Sequence, residues 1–429
     1  MSKRTVAVVG GGCAGVLATR ELLRGGDDRV VLIEPGEPGG GLAYGSARPW
    51  HLLNSRAGAM SADPDDLGHF TRWAGSTPDE FRPRAEYGRY LESVFASTAS
   101  SYGDRLTVRR SRARGLASGG VTLDDGSTVR ADEIVVATGN PAPAQPAARP
   151  EHPDYIADPW APGVLDAIPS DVPVMLVGAG LTAIDVALTL TADRDRDAPI
   201  TAVSRRGQLP LTHTEVAAPP VGPALDDCTT LRDLVRAVRA EAARAGDWRA
   251  VVDGLRPRLD QLWTALTPGE QDAFLRHLAR PWECHRHRMA PSVGARVAEL
   301  RAEGRLEVRA GGIRSMTAPP AGGLLVELEA GVQWFGAVIN CAGPGRLPAA
   351  AGSFVGSLLD SGQARVGPHG LGLDIDQTGH LIGADGRARD NLWLIGPLRR
   401  GAQWETTAVP EIRAQARVLA GSLTAAVPV

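Results

Sequence analysis

Short runs of aliphatic and β-branched residues recur along this chain, and two of them end in a glycine pinch just before an amphipathic stretch opens. The first is "VAVVGGGCAG", Val6 to Gly15, and the second is "VMLVGAGLTAID", Val174 to Asp185. A short apolar run bounded by glycine reads as a buried strand, and the periodic stretch after it as a helix, here from Ala14 to about Arg24. A second strand, "RVVLIE", ends at Glu34. It is followed by "RLTVRR" near Arg105, by "GVTLDDGSTV" with a hairpin signal at Asp125-Gly126, and by "ADEIVVATGN".

The pattern then repeats, unevenly. After "VMLVGAG" come "PITAVSRRG", "RLEVRA" near Arg305, "GLLVELEAGVQWF" and "GAVINCAGPG". Each copy reads as a dinucleotide half-fold, which predicts an α/β protein with two Rossmann-like dinucleotide-binding domains. Between strands of the second copy, Leu231 to Glu303 is rich in Ala, Arg and Leu at helical spacing and is preceded by the Pro-rich "AAPPVGPALDD". The tail carries a strand, "NLWLIGP", and a helix, "VPEIRAQARVLAGSL", which most simply return to complete the first sheet. The expected organisation is a discontinuous first domain, 1–140 and 346–429, with a second domain, 141–345, set into it; a helical insertion occupies about 215–303.

Length and composition narrow the function without naming it. A chain of 429 residues exceeds one hydrophobic core. A net charge of −3 gives no reason to expect nucleic acid or an anionic membrane as partner, and no apolar run is long enough to span a bilayer. The basic start before an apolar stretch mimics an export signal, but its glycines break the apolar helix such a signal needs, so a cytoplasmic location is expected. Cys13, Cys228, Cys284 and Cys341 lie far apart with no Cys-x-x-Cys pair, against a local redox dithiol or a cysteine zinc site. Lys3 is the only lysine, so cationic work falls to arginine, which grips phosphate or carboxylate as a fork.

The chemistry-bearing motifs follow. Gly10-x-Gly12-x-x-Gly15, with Cys13 and Ala14 between, opens a helix whose free N–H groups suit a pyrophosphate; Glu34, about 20 residues on, suits ribose hydroxyls. Together they predict FAD. The second turn, Gly178-x-Gly180-x-x-Ala183, opens its helix with Leu181 and Thr182, and its second strand ends in Ser204, Arg205 and Arg206. A serine and two arginines suit a 2′-phosphate that an acid would repel, so NADPH is expected there. Three irregular segments are candidate flavin contacts: Leu42 and Tyr44 in "GGGLAYG", Asn54, Met60 and Ser61 in "HLLNSRAGAMSADP", and Gly396, Trp404, Thr406, Thr407 and Ala408 in "GPLRRGAQWETTAVPEIR". Thr138 and Gly139, which end the first copy's closing strand, join them. "RPWECHRHRMAP" offers His285, Arg286 and Arg288 as a substrate-anion site, or else as salt bridges joining the insertion to the core; its histidine spacing does not suit a metal. No side-chain nucleophile is expected.

On "VVGGGCAG", "AYGSARPWHLLNSRAGAMSADPDDLGHF", "VATGNP", "LVGAGLTAID", "VSRRGQLP", "CHRHRMAP", "INCAGPG" and "GAQWETTAVPEIRAQA", the chain resembles bacterial FAD/NAD(P)-binding flavoproteins related to flavin-dependent N-hydroxylating monooxygenases of the aspartate N-monooxygenase kind. The resemblance implies that Gly10, Gly12, Gly15 and Glu34 bind FAD. It places the segments around Asn54, Trp404 and Thr407 near the flavin, and Gly178, Gly180, Arg205 and Arg206 on the NADPH side. Ser55 and Ala59 stand where the family's pattern leads one to expect an aliphatic residue and an arginine, so the substrate does not carry over. The expected activity is oxidation of a small polar amine with O2, through a C4a-(hydro)peroxyflavin. An FAD-dependent oxidoreductase without oxygenation and a non-catalytic flavin redox sensor remain the alternatives.

Overall fold

The computed structural model describes residues 3–146, 149–192, 196–347 and 352–425. Its first sheet has six strands, in the order His380–Ile382, Ala388–Leu394, Glu133–Val136, Thr5–Val9, Arg29–Ile33 and Leu106–Arg109. All neighbours run parallel except the first pair. Such a sheet is covered on both faces, which is why its strands are apolar runs rather than alternating ones. Val6, Val8, Leu17, Leu91 and Leu419 join one core beneath helices Cys13–Gly25, Arg84–Tyr102 and Val409–Ala425. Ala7, Val9, Val121 and Leu358 join the other, beneath a three-stranded antiparallel meander and helix Phe354–Asp360. The meander turns at Asp125-Gly126, where Gly126 takes a φ of +79°.

The second sheet repeats this plan with five parallel strands: Leu306–Ala310, Ile200–Ser204, Val174–Val177, Ala337–Asn340 and Tyr155–Ile156. Helices Leu181–Ala192 and Pro291–Ala302 cover one face and the meander Ile313–Phe335 the other. In both sheets the chain order reverses beside the glycine-turn strand, where α/β sheets bind ligands.

Five helices, from Leu231–Ala245 to Ala279–Arg286, stand between strands 200–204 and 306–310. The Pro-rich stretch before them forms neither helix nor strand, and helicity starts where Thr230 Oγ1 accepts the Asp233 N–H at 3.2 Å. Helix Pro291–Ala302 sends Val297 and Leu300 into the second sheet's core, so it serves as that sheet's crossover helix rather than as part of the helical layer.

The helical layer is bonded to the C-terminal segment. Arg256 grips Glu411 through Nε and Nη2 at 2.5 and 2.6 Å, and Trp263 Nε1 donates to the Gly401 carbonyl at 2.7 Å. One Asp260 oxygen accepts the Trp404 and Glu405 N–H groups at 2.8 and 3.0 Å.

The two sheets meet along helix Leu181–Ala192. There Arg84 pairs with Asp185, and Trp50 Nε1 donates to Thr189 Oγ1 at 3.2 Å. Thr189 Oγ1 gives its proton to the Asp185 carbonyl, so His51 Nε2 donates to it at 2.8 Å, while His51 Nδ1 accepts the Arg48 N–H at 3.1 Å. The ring is thus neutral, and burial holds its pKa below the usual histidine range. Asp185 is 5% exposed, so neutralising it strands a partly buried guanidinium. Asp185→Asn is expected to cost about 3 kcal/mol in urea denaturation; a loss below roughly 0.5 kcal/mol, the scale of a surface change, contradicts this account of the junction.

Candidate dinucleotide sites

The first glycine of each turn lies against the end of a neighbouring strand. Gly10 has φ +104°, and a Cβ there would sit 2.5 Å from the Ala137 carbonyl oxygen. Gly178 has φ +121°, with the same hypothetical Cβ 2.6 Å from the Cys341 carbonyl oxygen. The third positions differ: a Cβ on Gly15 would come within 1.8 Å of the Gly10 carbonyl oxygen, whereas Ala183 fits its place at 1% exposure. Each turn leads into a helix, whose first N–H groups lack internal partners and carry positive partial charge.

Several segments converge on the first turn. Glu34 Oε2 accepts the Gly11 N–H at 2.6 Å and its Oε1 the Gly36 N–H at 2.9 Å. The Gly39 N–H donates to the Gly11 carbonyl at 2.8 Å, and a Cβ on Gly41 would lie 3.0 Å from the Gly12 Cα. Gly396 has φ +90°; a Cβ there would be 3.3 Å from the Ala14 Cβ, and its N–H is held by Gln415 Oε1 at 2.7 Å. Thr138 is exposed and Gly139 half-buried, directly after the strand that backs Gly10. Leu42 is 62% exposed on the glycine-rich loop. That loop walls one side of a cleft of about 500 Å3, with Trp160, Pro162 and Thr189 opposite. Tyr44 packs edge-on against Tyr87 at 4.8 Å, and burial pushes the Cys13 thiol up to about 12. Cys13 thus serves through its backbone rather than as a thiolate.

Other candidates are held within the protein. Met60 is 3% exposed, and the fully buried Ser61 donates its hydroxyl to the Asp66 carbonyl at 2.6 Å. Trp404 packs against Trp263 at 4.7 Å and Phe274 at 5.0 Å, under the Arg400 guanidinium. Thr406 is fully buried, with its hydroxyl toward the Pro397 carbonyl at 3.4 Å. Thr407 is exposed and Ala408 half-buried at the head of the last helix. The Asn54 carbonyl accepts His213 Nε2–H at 3.2 Å.

At the second turn Ser204 Oγ accepts the Gly207 N–H at 3.2 Å, and Arg205 is exposed. Arg206 donates to the His277 and Arg276 carbonyls at 3.2 and 3.1 Å, capping a helix of the insertion. Within "RPWECHRHRMAP", Arg286 pairs with Glu405 at 2.8 Å, Arg288 pairs with Asp253, and His285 Nδ1 donates to the Pro281 carbonyl at 2.7 Å. Both arginines are buried, and besides these pairs Arg286 Nε and Arg288 Nε and Nη1 have no hydrogen-bond partner among the described residues. The geometry contains the salt bridges that one reading of the motif expects. Among the described residues no group of His, Cys, Asp and Glu could hold a metal ion.

The motif pattern did not single out Gly11, Gln415 or Arg280. Gly11 is needed because a Cβ would strike the Glu34 side chain at 2.7 Å; only the run of three glycines hinted at it. Gln415 and Arg280 become visible only once distant elements pack.

His213 tests the electrostatics. Burial first, then the nearby Arg288, push its pKa from 6.5 down to about 3. The unfolded chain takes up a proton that the folded chain refuses, so stability is intact above pH 6.5 and declines as pH falls toward 3. The decline is on the order of 1 kcal/mol per pH unit. Urea titrations of His213→Asn are expected to give a shallower acid slope; an unchanged slope contradicts the assignment.

Residues 7–141 match the family described as FAD-NAD(P)-binding. A 255-residue stretch, 45% of this chain, is 26% identical to an L-aspartate N-monooxygenase (nitrosuccinate-forming) from Streptomyces davaonensis and spans 39% of that enzyme. Among solved structures, the reduced form of ornithine hydroxylase from Pseudomonas aeruginosa matches over 99% of both chains with a TM-score of 0.65 at 14% identity. The cadaverine monooxygenase of Erwinia amylovora matches over 99% of this chain and 95% of its own, with a TM-score of 0.69 at 13% identity. The chain therefore carries the two-dinucleotide-domain fold of the solved ornithine hydroxylase and cadaverine monooxygenase.

Proposed function

We propose that this chain is an NADPH-dependent FAD monooxygenase that N-hydroxylates, or otherwise oxidises, the amine of a small polar molecule. The observation that carries the reading is the pair of glycine turns, each built so that only a residue without Cβ fits against a strand end, within a fold shared along its whole length with amine hydroxylases. The residues present fit the two cofactors. Backbone N–H groups from Gly12 to Gly15 meet a pyrophosphate at the helix start, and Glu34 takes the adenosine ribose of FAD. Gly41, Thr138, Gly139 and Gly396 let the chain approach the same molecule closely, and the start of helix Val409–Ala425 offers N–H groups beside Thr407 and Ala408. Gly178, Gly180, Leu181 and Thr182 take the pyrophosphate of NADPH.

When bound, FAD supplies the redox centre through which electrons from NADPH reach O2 and one oxygen atom reaches the amine. The chain's own part is to bind, orient and exclude water. The tight junction at Arg84, Asp185 and His51 holds the two nucleotide domains together, and the helical layer covers the segment 400–411. The cysteines are unpaired, and those at 284 and 341 are buried, which weighs against a disulfide-reducing flavoenzyme. No helix among the described residues is long and apolar enough to cross a membrane.

The FAD-loaded protein is expected to be yellow, to bleach faster with NADPH than with NADH, and to yield an N-oxygenated product from at least one compound in a panel of amino acids and diamines. Rapid bleaching with every electron recovered as hydrogen peroxide across the panel favours the oxidoreductase without oxygenation. FAD retention without NADPH turnover favours the redox sensor.

A further inference from the structure

The two turns are met by side chains of opposite sign, and the second comes from outside its own half-fold. In the first turn Glu34, at the end of the second strand, bridges the Gly11 and Gly36 N–H groups. Gly11 follows the first glycine of its turn, and Gly36 lies just past the strand end. The corresponding places in the second turn are Ala179, after Gly178, and the bend Ser204–Gln208. The side chain that bridges them is Arg280, whose Nη2 donates to the Ala179 carbonyl at 2.9 Å and to the Gln208 carbonyl. The backbone offers donors to the acid in one copy and acceptors to the guanidinium in the other.

Arg280 is carried by helix Ala279–Arg286 of the insertion. It is half-buried, and its two hydrogen bonds use Nη2 alone, with no hydrogen bond from Nε or Nη1 to the described residues. Arg206, by contrast, is bound to the carbonyls that end helix Pro268–His277, directly before Arg280. Arg206 thus acts as the residue that holds this corner of the insertion against the turn.

We propose that Arg280 binds the 2′-phosphate of the nicotinamide dinucleotide and selects NADP(H) over NAD(H). The gap it bridges, between the middle of the turn and the end of the second strand, is where such folds place the adenosine ribose. With Nη2 held by the two carbonyls, the guanidinium can meet a phosphate through its fixed charge and through single hydrogen bonds from Nε or Nη1. Arg205, exposed on the same bend, adds charge. The inference rests on the second turn being the NADPH site. It makes the insertion part of that site, so a bound nucleotide also anchors the layer that holds segment 400–411.

The test is calorimetric titration of the FAD-bound full chain with NADP+, NAD+ and 2′,5′-ADP. Arg280→Gln, whose amide can still donate to the Ala179 carbonyl, is expected to weaken NADP+ and 2′,5′-ADP roughly tenfold or more while leaving NAD+ within about twofold. Arg280→Lys, which keeps the charge but not the separate Nε and Nη1 donors, is expected to fall between and serves if the first variant does not fold. Equal weakening of NADP+ and NAD+ makes Arg280 a structural tether and overturns the proposal, as does full retention of the NADP+ preference. If the parent protein binds neither nucleotide, the NADPH reading of the second turn fails instead.

Discussion

The structure depends on two points where a turn passes a neighbouring strand end too closely for any side chain. At Gly10 and at Gly178 the backbone turns off the central strand of its sheet within van der Waals reach of a carbonyl that ends the neighbouring strand, Ala137 in one case and Cys341 in the other. That crossing leaves the start of the following helix open at the edge of the sheet, where a phosphate can meet unpaired N–H groups. A methyl group at either point would force strand and turn apart. The helix would then lose its register with the strand, and the anion site would go with it.

Built on this shared constraint, the two halves diverge in the side chain that bridges the turn and the end of the second strand. The first half uses its own strand end, Glu34, and keeps the carboxylate in place with two backbone donors. The second half has no such residue, and the helical layer reaches in from the side. That layer is bonded at its other end to the C-terminal segment through Arg256, Asp260 and Trp263. It therefore touches both the second turn and the residues that precede helix Val409–Ala425, and it ties the two into one body.

The strands, the turns and the α/β class were legible in the sequence because each rests on local signals: apolar runs of strand length, glycines before a helix, and Asp-Gly at a hairpin. Glu34 was legible from its distance beyond the turn. What local pattern could not supply was the fate of long side chains. Arg206 reads in one dimension as a phosphate ligand, yet it caps a helix; Arg286 and Arg288 read equally as an anion site or as salt bridges, and their carboxylate partners lie far away in sequence. Ser61 and Thr406 similarly read as hydroxyls on loops, but their partners are carbonyls of the same folded segments. Arg280 was hidden for the converse reason, since nothing in "RPWECHRHRMAP" shows that its first residue lies against a glycine turn some hundred positions earlier.

Two such turns in one chain call for two different dinucleotides held at once, each in its own turn. Adding NADP+ to anaerobic, flavin-saturated protein and then measuring both nucleotides retained after gel filtration tests it most directly. The account predicts that NADP+ is taken up with no loss of flavin, reaching equal amounts of the two per chain. Displacement of the flavin by NADP+, or a single nucleotide per chain whichever is supplied, would contradict it.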